Sequence, residues 1–340
     1  MPCYRPITAY YSKIVNPTGK RSLVFNVREA QNAYEPFDIP CGQCVHCRLE
    51  KSRQWAMRCV HEASLYEDNC FVTLTYSDEH LPENGFLDYD APVLFMKRLR
   101  KMFGDKIRSY GCAEYGEKKE RPHYHLLIFN HDFTDKILWK DQGENSLYVS
   151  NTLTSLWPYG HSTCGALTFE SAAYTARYCT KKITVSERTP ENLRRMYERT
   201  NPITGEIFEL PPEKSVCVSR GGRSGRGGIG KEWYEKHGKY LRDHDHAIIR
   251  GKKVRPAKYY DRLFDLADPE NFRDLKARRR NSGEEAKMKL ENERKAAYDQ
   301  YISIHGEDSF PTNRDRLYVM EEYHEAQAKL LKRGLENGST

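Results

Sequence analysis

Ile107-Arg-Ser-Tyr-Gly-Cys-Ala-Glu-Tyr115, a polar turn from Gly116 to Pro122, and His123-Tyr-His-Leu-Leu-Ile-Phe129 decide the fold. Two runs rich in β-formers on either side of a charged turn predict an antiparallel hairpin. Working outward, Phe71-Val-Thr-Leu-Thr-Tyr76 reads as a core strand and Thr163 to Phe169 as a fourth strand. Between and around them lie helical stretches: Val45 to Glu67, Pro92 to Met102 with a basic end, and Glu170 to Ile183. Strands interrupted by helices predict an α+β domain with a mainly antiparallel central sheet flanked by helices. From Thr189 to Gly230 the chain is rich in Pro, Gly and Arg, and beyond Val254 it is highly charged. Helices are expected there at about 283–303 and 312–333, the second with Leu317, Met320, His324, Ala328 and Leu331 on one stripe. The expected organisation is a cysteine-cluster and basic-helix region over 1–64, a central domain over 65–235, and a charged, mostly helical region over 236–340. No internal repeat is visible.

The 340 residues carry 55 basic against 48 acidic side chains, a net +7 that favours a polyanionic partner. The 23 tyrosines interleaved with Lys and Arg suit a groove in which single-stranded bases stack while the backbone is neutralised. A mean hydropathy of -0.82, the absence of an apolar run of membrane-spanning length, and an N-terminus without a signal-peptide core predict a cytosolic protein with no membrane partner. In that compartment most of the ten cysteines should be reduced.

Side chains alternate along a strand, so His123 and His125 share one face and Tyr124 takes the other. Pro122 suits the first strand position, where no ladder donor is required. If the hairpin pairs as expected, its turn brings Glu114 beside the two imidazoles. Two His and a carboxylate with open positions suit a hydrated divalent cation that polarises a phosphoryl oxygen, with Mg²⁺ and Mn²⁺ both permitted. The alternative is the polar face of an amphipathic strand.

Tyr174 and Tyr178 stand at i and i+4, one face of a helix, with Lys181 and Lys182 a turn further on. A phenol with a pKa near about 10 is a poor nucleophile at neutral pH, and neighbouring ammonium groups would favour the phenolate. Arg121 and Arg177 could add phosphate contacts, which position a strand without reading its sequence. The alternative is an amphipathic helix burying two aromatic rings.

Taken in order, Phe71–Tyr76, Arg121-Pro-His-Tyr-His125 and Tyr174-x-x-x-Tyr178-x-x-Lys181-Lys182 resemble the three motifs of HUH endonucleases that initiate rolling-circle replication. The two-tyrosine arrangement is similar to that of the gene A proteins of isometric single-stranded DNA phages. The run Cys41-Gly-Gln-Cys-Val-His-Cys-Arg-Leu-Glu-Lys-Ser-Arg-Gln-Trp55 narrows the resemblance to the replication initiators of gokushovirus-like microviruses. The motifs cover roughly residues 38–185. The resemblance implies an HUH, ferredoxin-like nuclease fold, with His123, His125 and Glu114 as ligands of Mg²⁺ or Mn²⁺. It implies Tyr174 and Tyr178 as alternating nucleophiles, and Lys181 or Lys182 as the group that contacts the phosphate or polarises the tyrosine. The implied task is to nick one strand at a phage origin through a 5′-phosphotyrosine link and rejoin ends during rolling-circle replication, in the host bacterial cytoplasm. Alternatives are an HUH-type transposase, and a non-catalytic, zinc-containing single-strand binder.

Cys41, Cys44 and Cys47 form C-x-x-C-x-x-C, a spacing typical of zinc knuckles, with Cys3 or Cys59 to supply a fourth ligand for a structural Zn²⁺. Pro40-Cys41-Gly-Gln-Cys44 also matches half of a deaminase signature, but no histidine precedes His46 to complete it. Gly225-Arg-Gly-Gly-Ile-Gly230-Lys231 fits most of a P-loop, yet Glu232 stands where Mg²⁺ needs Ser or Thr. Ser219–Lys231 is therefore expected to be a flexible basic loop on the DNA backbone. Without its own motor the protein would rely on a host helicase and replication machinery.

Overall fold

The computed structural model describes residues 3–17, 19, 21–116, 120–178, 197–200, 204–221, 227–305 and 313–330. A small sheet comes first, formed by β1 (Ile7–Val15), β2 (Arg21–Val24) and β3 (Phe37–Ile39), with β1 in the middle. Helix α1 (Val45–Ala63) follows, then β4 (Asn69–Tyr76), α2 (Ala91–Phe103), and the predicted hairpin of β5 (Arg108–Tyr115) and β6 (Pro122–Phe129). Next come β7 (Ile137–Lys140), β8 (Leu147–Val149), the short α3 (Asn151–Leu156), β9 (Gly160–Ala166) and α4 (Phe169–Tyr178). Beyond these lie β10 (Glu198–Thr200), β11 (Ile207–Glu209), β12 (Lys214–Val216), α5 (Lys231–His244), β13 (Ala247–Ile249), β14 (Lys252–Val254), α6 (Lys258–Ala267), α7 (Pro269–His305) and α8 (Asn313–Leu330).

Seven strands form one sheet in the order β12-β5-β6-β4-β9-β8-β7, and every neighbouring pair is antiparallel. This is the α+β architecture expected from the sequence. Period-two alternation sorts the central strands into two cores. Val72, Leu74, Tyr124, Leu126 and Ile128 pack against Phe95, Met96 and Leu99 of α2 and against Trp157. On the opposite face Phe71, Tyr110, Cys112, Leu127 and Phe129 meet Ala56 and Cys59 of α1 and Ala172, Tyr174 and Ala176 of α4. Alanines at the α1–α4 contact let the two helices approach closely, and Ser52 Oγ donates to the Ala173 carbonyl at 2.8 Å. A third core joins Met57 of α1 to Tyr234, Leu241, Tyr260, Phe264, Phe272 and Leu275 of α5–α7. Helix α1 is thus the hub: it backs the sheet, supports α4, and carries the C-terminal helices.

Several boundaries move for local reasons. The fourth strand ends at Ala166 rather than Phe169 because Thr168 and Ser171 cap each other: Thr168 N donates to Ser171 Oγ at 2.9 Å, and Ser171 N to Thr168 Oγ1 at 3.2 Å. That reciprocal cap sets where α4 begins. Residues 179–183, expected to continue α4, lie outside the described residues. Helix α7 starts at Pro269, 14 residues before the expected 283, with Asp268 accepting from Asn271 N at 3.2 Å. A proline in the first turn and an aspartate ahead of it are a helix-start pair.

The glycine-rich segment is not a free loop where it is described. Arg108 and Glu62, a buried ion pair at 3.0 Å, hold it: Arg108 donates to the Gly227 carbonyl at 2.7 Å, and Gly230 N donates to Glu62 at 2.7 Å. A P-loop would aim such amides at phosphate; here a buried carboxylate takes the amide at the start of α5. Ser219 is likewise pinned, its N–H to the Ser109 carbonyl at 2.8 Å. Residues 222–226 lie outside the described residues.

Candidate active site

The β5–β6 register places Glu114 opposite His123 and Cys112 opposite His125. On the other side of β6, Thr75 pairs with His123 and Thr73 with His125. All six residues therefore face α1 and α4, with Tyr124 pointing away into the core against α2. The side chains follow the register closely. Thr73 Oγ1 lies 3.0 Å from His125 Nδ1, and Thr75 Oγ1 lies 3.1 Å from His123 Nδ1. Each ring is thereby fixed through Nδ1, leaving Nε2 as the outward nitrogen. His125 Nε2 is 2.7 Å from Glu114 Oε1, a contact diagonal to the strand pairing. Glu114 and His125 are almost fully buried. Burial, and then the nearby His125 and Arg121, push His123 down to about 3, so its imidazole is neutral at physiological pH.

The residues fit a divalent cation on two observations. A threonine hydroxyl can accept from Nδ1–H as well as donate, so His123 can present an Nε2 lone pair, and His125 can do so once a cation takes the place of the proton its Nε2 shares with Glu114. Gly116, at the mouth of the turn, keeps that approach open at His123: a Cβ there would come within 2.6 Å of His123 Nε2. The turn is closed by Gly116 N–H to the Arg121 carbonyl and Glu120 N–H to the Gly116 carbonyl, both 2.9 Å.

Helix α4 brings Tyr174 to this face. Its ring meets His125 edge-on, with centroids 5.1 Å apart at 82°, and lies edge-on to Phe71 at 6.3 Å. Phe71 in turn stacks on His125 at 5.5 Å and 11°. Tyr174 is only 5% exposed, so its phenol sits within the protein beside the histidines. Tyr178 stands one turn further along α4 as its last described residue. Lys181 and Lys182 lie outside the described residues. The Arg177 guanidinium is 6.0 Å from the Tyr174 ring. Arg121 donates to the Tyr76 carbonyl at 2.8 Å and pairs with the exposed Asp78.

Thr73 and Thr75 are the residues that sequence reasoning passed over. They sit inside Phe71–Tyr76, a stretch that reads as a core strand, and their alternation with apolar neighbours matches that of His123 and His125. Cys3, Cys41, Cys44 and Cys47 come together at the start of α1, while Cys59 is buried against the sheet.

Comparison with known proteins places this geometry in a family context. Residues 69–183 match the family Replication-associated protein ORF2/G2P, a span that runs from β4 through the histidine pair to the lysines after α4. The chain is 28% identical to Replication-associated protein VP4 of Bdellovibrio phage phiMH2K over 97% of its own length and 99% of that protein. It is 33% identical to Replication-associated protein ORF2 of Spiroplasma virus 4, covering 69% of this chain and 70% of that one. Replication-associated protein ORF4 of Chlamydia phage 1 is 34% identical over 44% of this chain and 39% of its own. No solved structure matches. Among the described residues, no helix is long and apolar enough to cross a membrane.

Proposed function

The chain belongs to the replication-associated proteins of microvirus-like phages, and on that premise we propose that it is a tyrosine nicking-joining enzyme acting at the phage origin. The observation that carries this reading is the edge-on contact of Tyr174 with His125, which sets a tyrosine ring against an oriented imidazole that itself contacts a carboxylate. His123, His125 and Glu114 would hold Mg²⁺ or Mn²⁺, which would polarise a phosphoryl oxygen and offset charge as it develops.

The protein's own part is to position and to attack. Thr73 and Thr75 hold the rings, and Phe71 stacks on His125 to keep its plane fixed. A tyrosine Oη attacks the scissile phosphorus in line, giving up its proton. The P–O3′ bond breaks, and the departing 3′ oxygen takes a proton to leave a free hydroxyl. The 5′ phosphate remains esterified to tyrosine, so no bond energy is lost. In the reverse direction a 3′-hydroxyl attacks that phosphotyrosine, reseals the strand and restores the phenol. With Tyr174 packed against His125, it is the first nucleophile. Tyr178, one turn on, makes the second cut while the first end stays attached. Lys181 or Lys182 would favour the phenolate or contact the phosphate, with Arg121 and Arg177 adding backbone contacts. A host helicase would unwind ahead of the growing strand.

The test is incubation with Mg²⁺ or Mn²⁺ and end-labelled single-stranded origin DNA, followed by denaturing electrophoresis. The reading expects a protein–DNA adduct that survives SDS, abolished by chelation and in His125→Ala. DNA binding without any adduct would instead identify a non-catalytic single-strand binder.

A further inference from the structure

Away from the histidines, four cysteines converge where the N-terminal segment meets α1. Cys3, Cys41, Cys44 and Cys47 place their sulfurs all within 4.8 Å of one another. Cys3 Sγ is 3.8 Å from Cys44 Sγ, and Cys41 Sγ is 4.0 Å from Cys47 Sγ. Four sulfurs on a tetrahedron around zinc, at a Zn–S length of about 2.3 Å, are separated by about 3.8 Å. All four are free thiols rather than disulfide partners. We propose that these residues form a tetrathiolate zinc centre.

The surroundings are those of a built site. Main-chain amides point at the sulfurs: Gln43 N and Cys44 N donate to Cys41 Sγ at 3.4 and 3.3 Å, and Cys41 N donates to Cys3 Sγ at 3.3 Å. Such N–H groups offset thiolate charge. The turn that aims them depends on Gly42, whose φ of +74° a side chain rarely adopts. Cys44 and Cys47 are buried, the first as the N-cap of α1 and the second in its first turn. Cys59, the other candidate for the fourth ligand, sits in the core between α1 and the sheet and is not part of the group. Sulfur-only ligation is soft and closed, which suits Zn²⁺ held for structure rather than for chemistry. A cluster carrying inorganic sulfide between several irons would spread the four sulfurs wider than this.

The centre fastens both ends of the described chain to the hub helix. Tyr4, next to Cys3, stacks on His324 of α8 at 5.9 Å, and Arg5 pairs with the buried Glu321 of α8 at 3.0 Å. Met320 packs against the cysteine group itself. Zinc would thus lock the N-terminal segment and α8 onto α1, whose middle turn supports α4 through the Ser52–Ala173 bond. This centre is independent of the proposed nicking chemistry.

The test is elemental analysis of the purified full-length chain after dialysis that strips weakly held divalent ions. The expected result is one zinc per chain, kept in His123→Ala, His125→Ala and Cys59→Ala, and lost in Cys3→Ser and Cys44→Ser. Because the cysteine variants can fail to fold, cobalt is also loaded into the native chain. Tetrahedral Co²⁺ with intense sulfur-to-metal charge transfer is expected, losing intensity in Cys3→Ser. A folded chain without zinc, zinc that follows the histidines, iron in its place, or a cobalt spectrum without thiolate character would each overturn the proposal.

Discussion

Glu114 is paired across the strands with His123, yet its carboxylate reaches diagonally to His125, 2.7 Å from Nε2. A carboxylate in register with one imidazole and in contact with the other is the relationship on which the site is built. It arises from the β5–β6 register, which sets Glu114, His123 and His125 on one face of the sheet.

The histidine rings are oriented from the far strand. In Thr73→Val and Thr75→Val the shape is kept and the Nδ1 partner is lost. Removing such an outer partner costs about 10–100-fold in metal affinity or activity. The expected outcome is a metal titration of nicking shifted to higher Mn²⁺ by that order, with unchanged far-ultraviolet circular dichroism. Unaltered titrations would mean the threonines do not orient the ligands.

Gly116 is predicted to be intolerant of even a methyl group. A Cβ there would meet His123 Nε2 at 2.6 Å. Gly116→Ala should fold with a near-native melting temperature and lose adduct formation at any Mn²⁺ concentration. Full activity would show that His123 can shift freely without consequence.

The histidine site was largely legible in the sequence because its geometry is local. A period-two alternation puts His123 and His125 on one face, and a hairpin with a short turn brings Glu114 to them; both need only neighbouring residues. The threonine partners were not legible, since Thr73 and Thr75 lie 52 and 48 residues from the rings they hold. Nothing local says that β4 rather than another strand lies beside β6. The N-terminal sheet was missed for a different reason: Ile7–Val15 is mostly exposed and has no clean alternation of apolar and polar positions. The edge strand Lys214–Val216, at three residues, is too short to carry a pattern. For the cysteines, spacing singled out three of the four that converge, and only the fold shows Cys3 beside them and Cys59 apart.

The Glu62–Arg108 pair is a buried ion pair between α1 and β5. Glu62 is fully buried, and together the two anchor Gly227 and Gly230. Arg108→Ala leaves that carboxylate without its cation, at an expected cost of about 3–5 kcal/mol. Urea unfolding followed by tryptophan fluorescence measures it. A loss below about 1 kcal/mol, the size of an exposed pair, would contradict a buried, structural role.

His61 predicts how stability depends on pH. Burial, helped by His237, pushes it down to about 3, while it stacks on Trp233 at 3.5 Å and bonds Tyr260 at 2.9 Å. Unfolded, the imidazole titrates near about 6.5. Between those values the unfolded chain holds a proton that the folded chain does not, so acid favours unfolding. Its contribution is fully present above about 6.5 and is lost as pH falls toward about 3, at up to about 1.4 kcal/mol per pH unit. His61→Phe is expected to lower stability at neutral pH but to flatten this slope by up to one proton. Equal slopes in the two proteins between pH 4 and 6 would refute the assignment.

Covalent joining of an α4 tyrosine to DNA is read from mass spectrometry of the DNA-linked peptide. After reaction with a short origin oligonucleotide, proteolysis and nuclease trimming, a nucleotide mass is expected on Tyr174 in the wild type. Tyr174→Phe should move that mass to Tyr178, and the double variant should carry none. A linked residue outside α4, or an adduct that persists in Tyr174→Phe plus Tyr178→Phe, would rule out attack by these tyrosines.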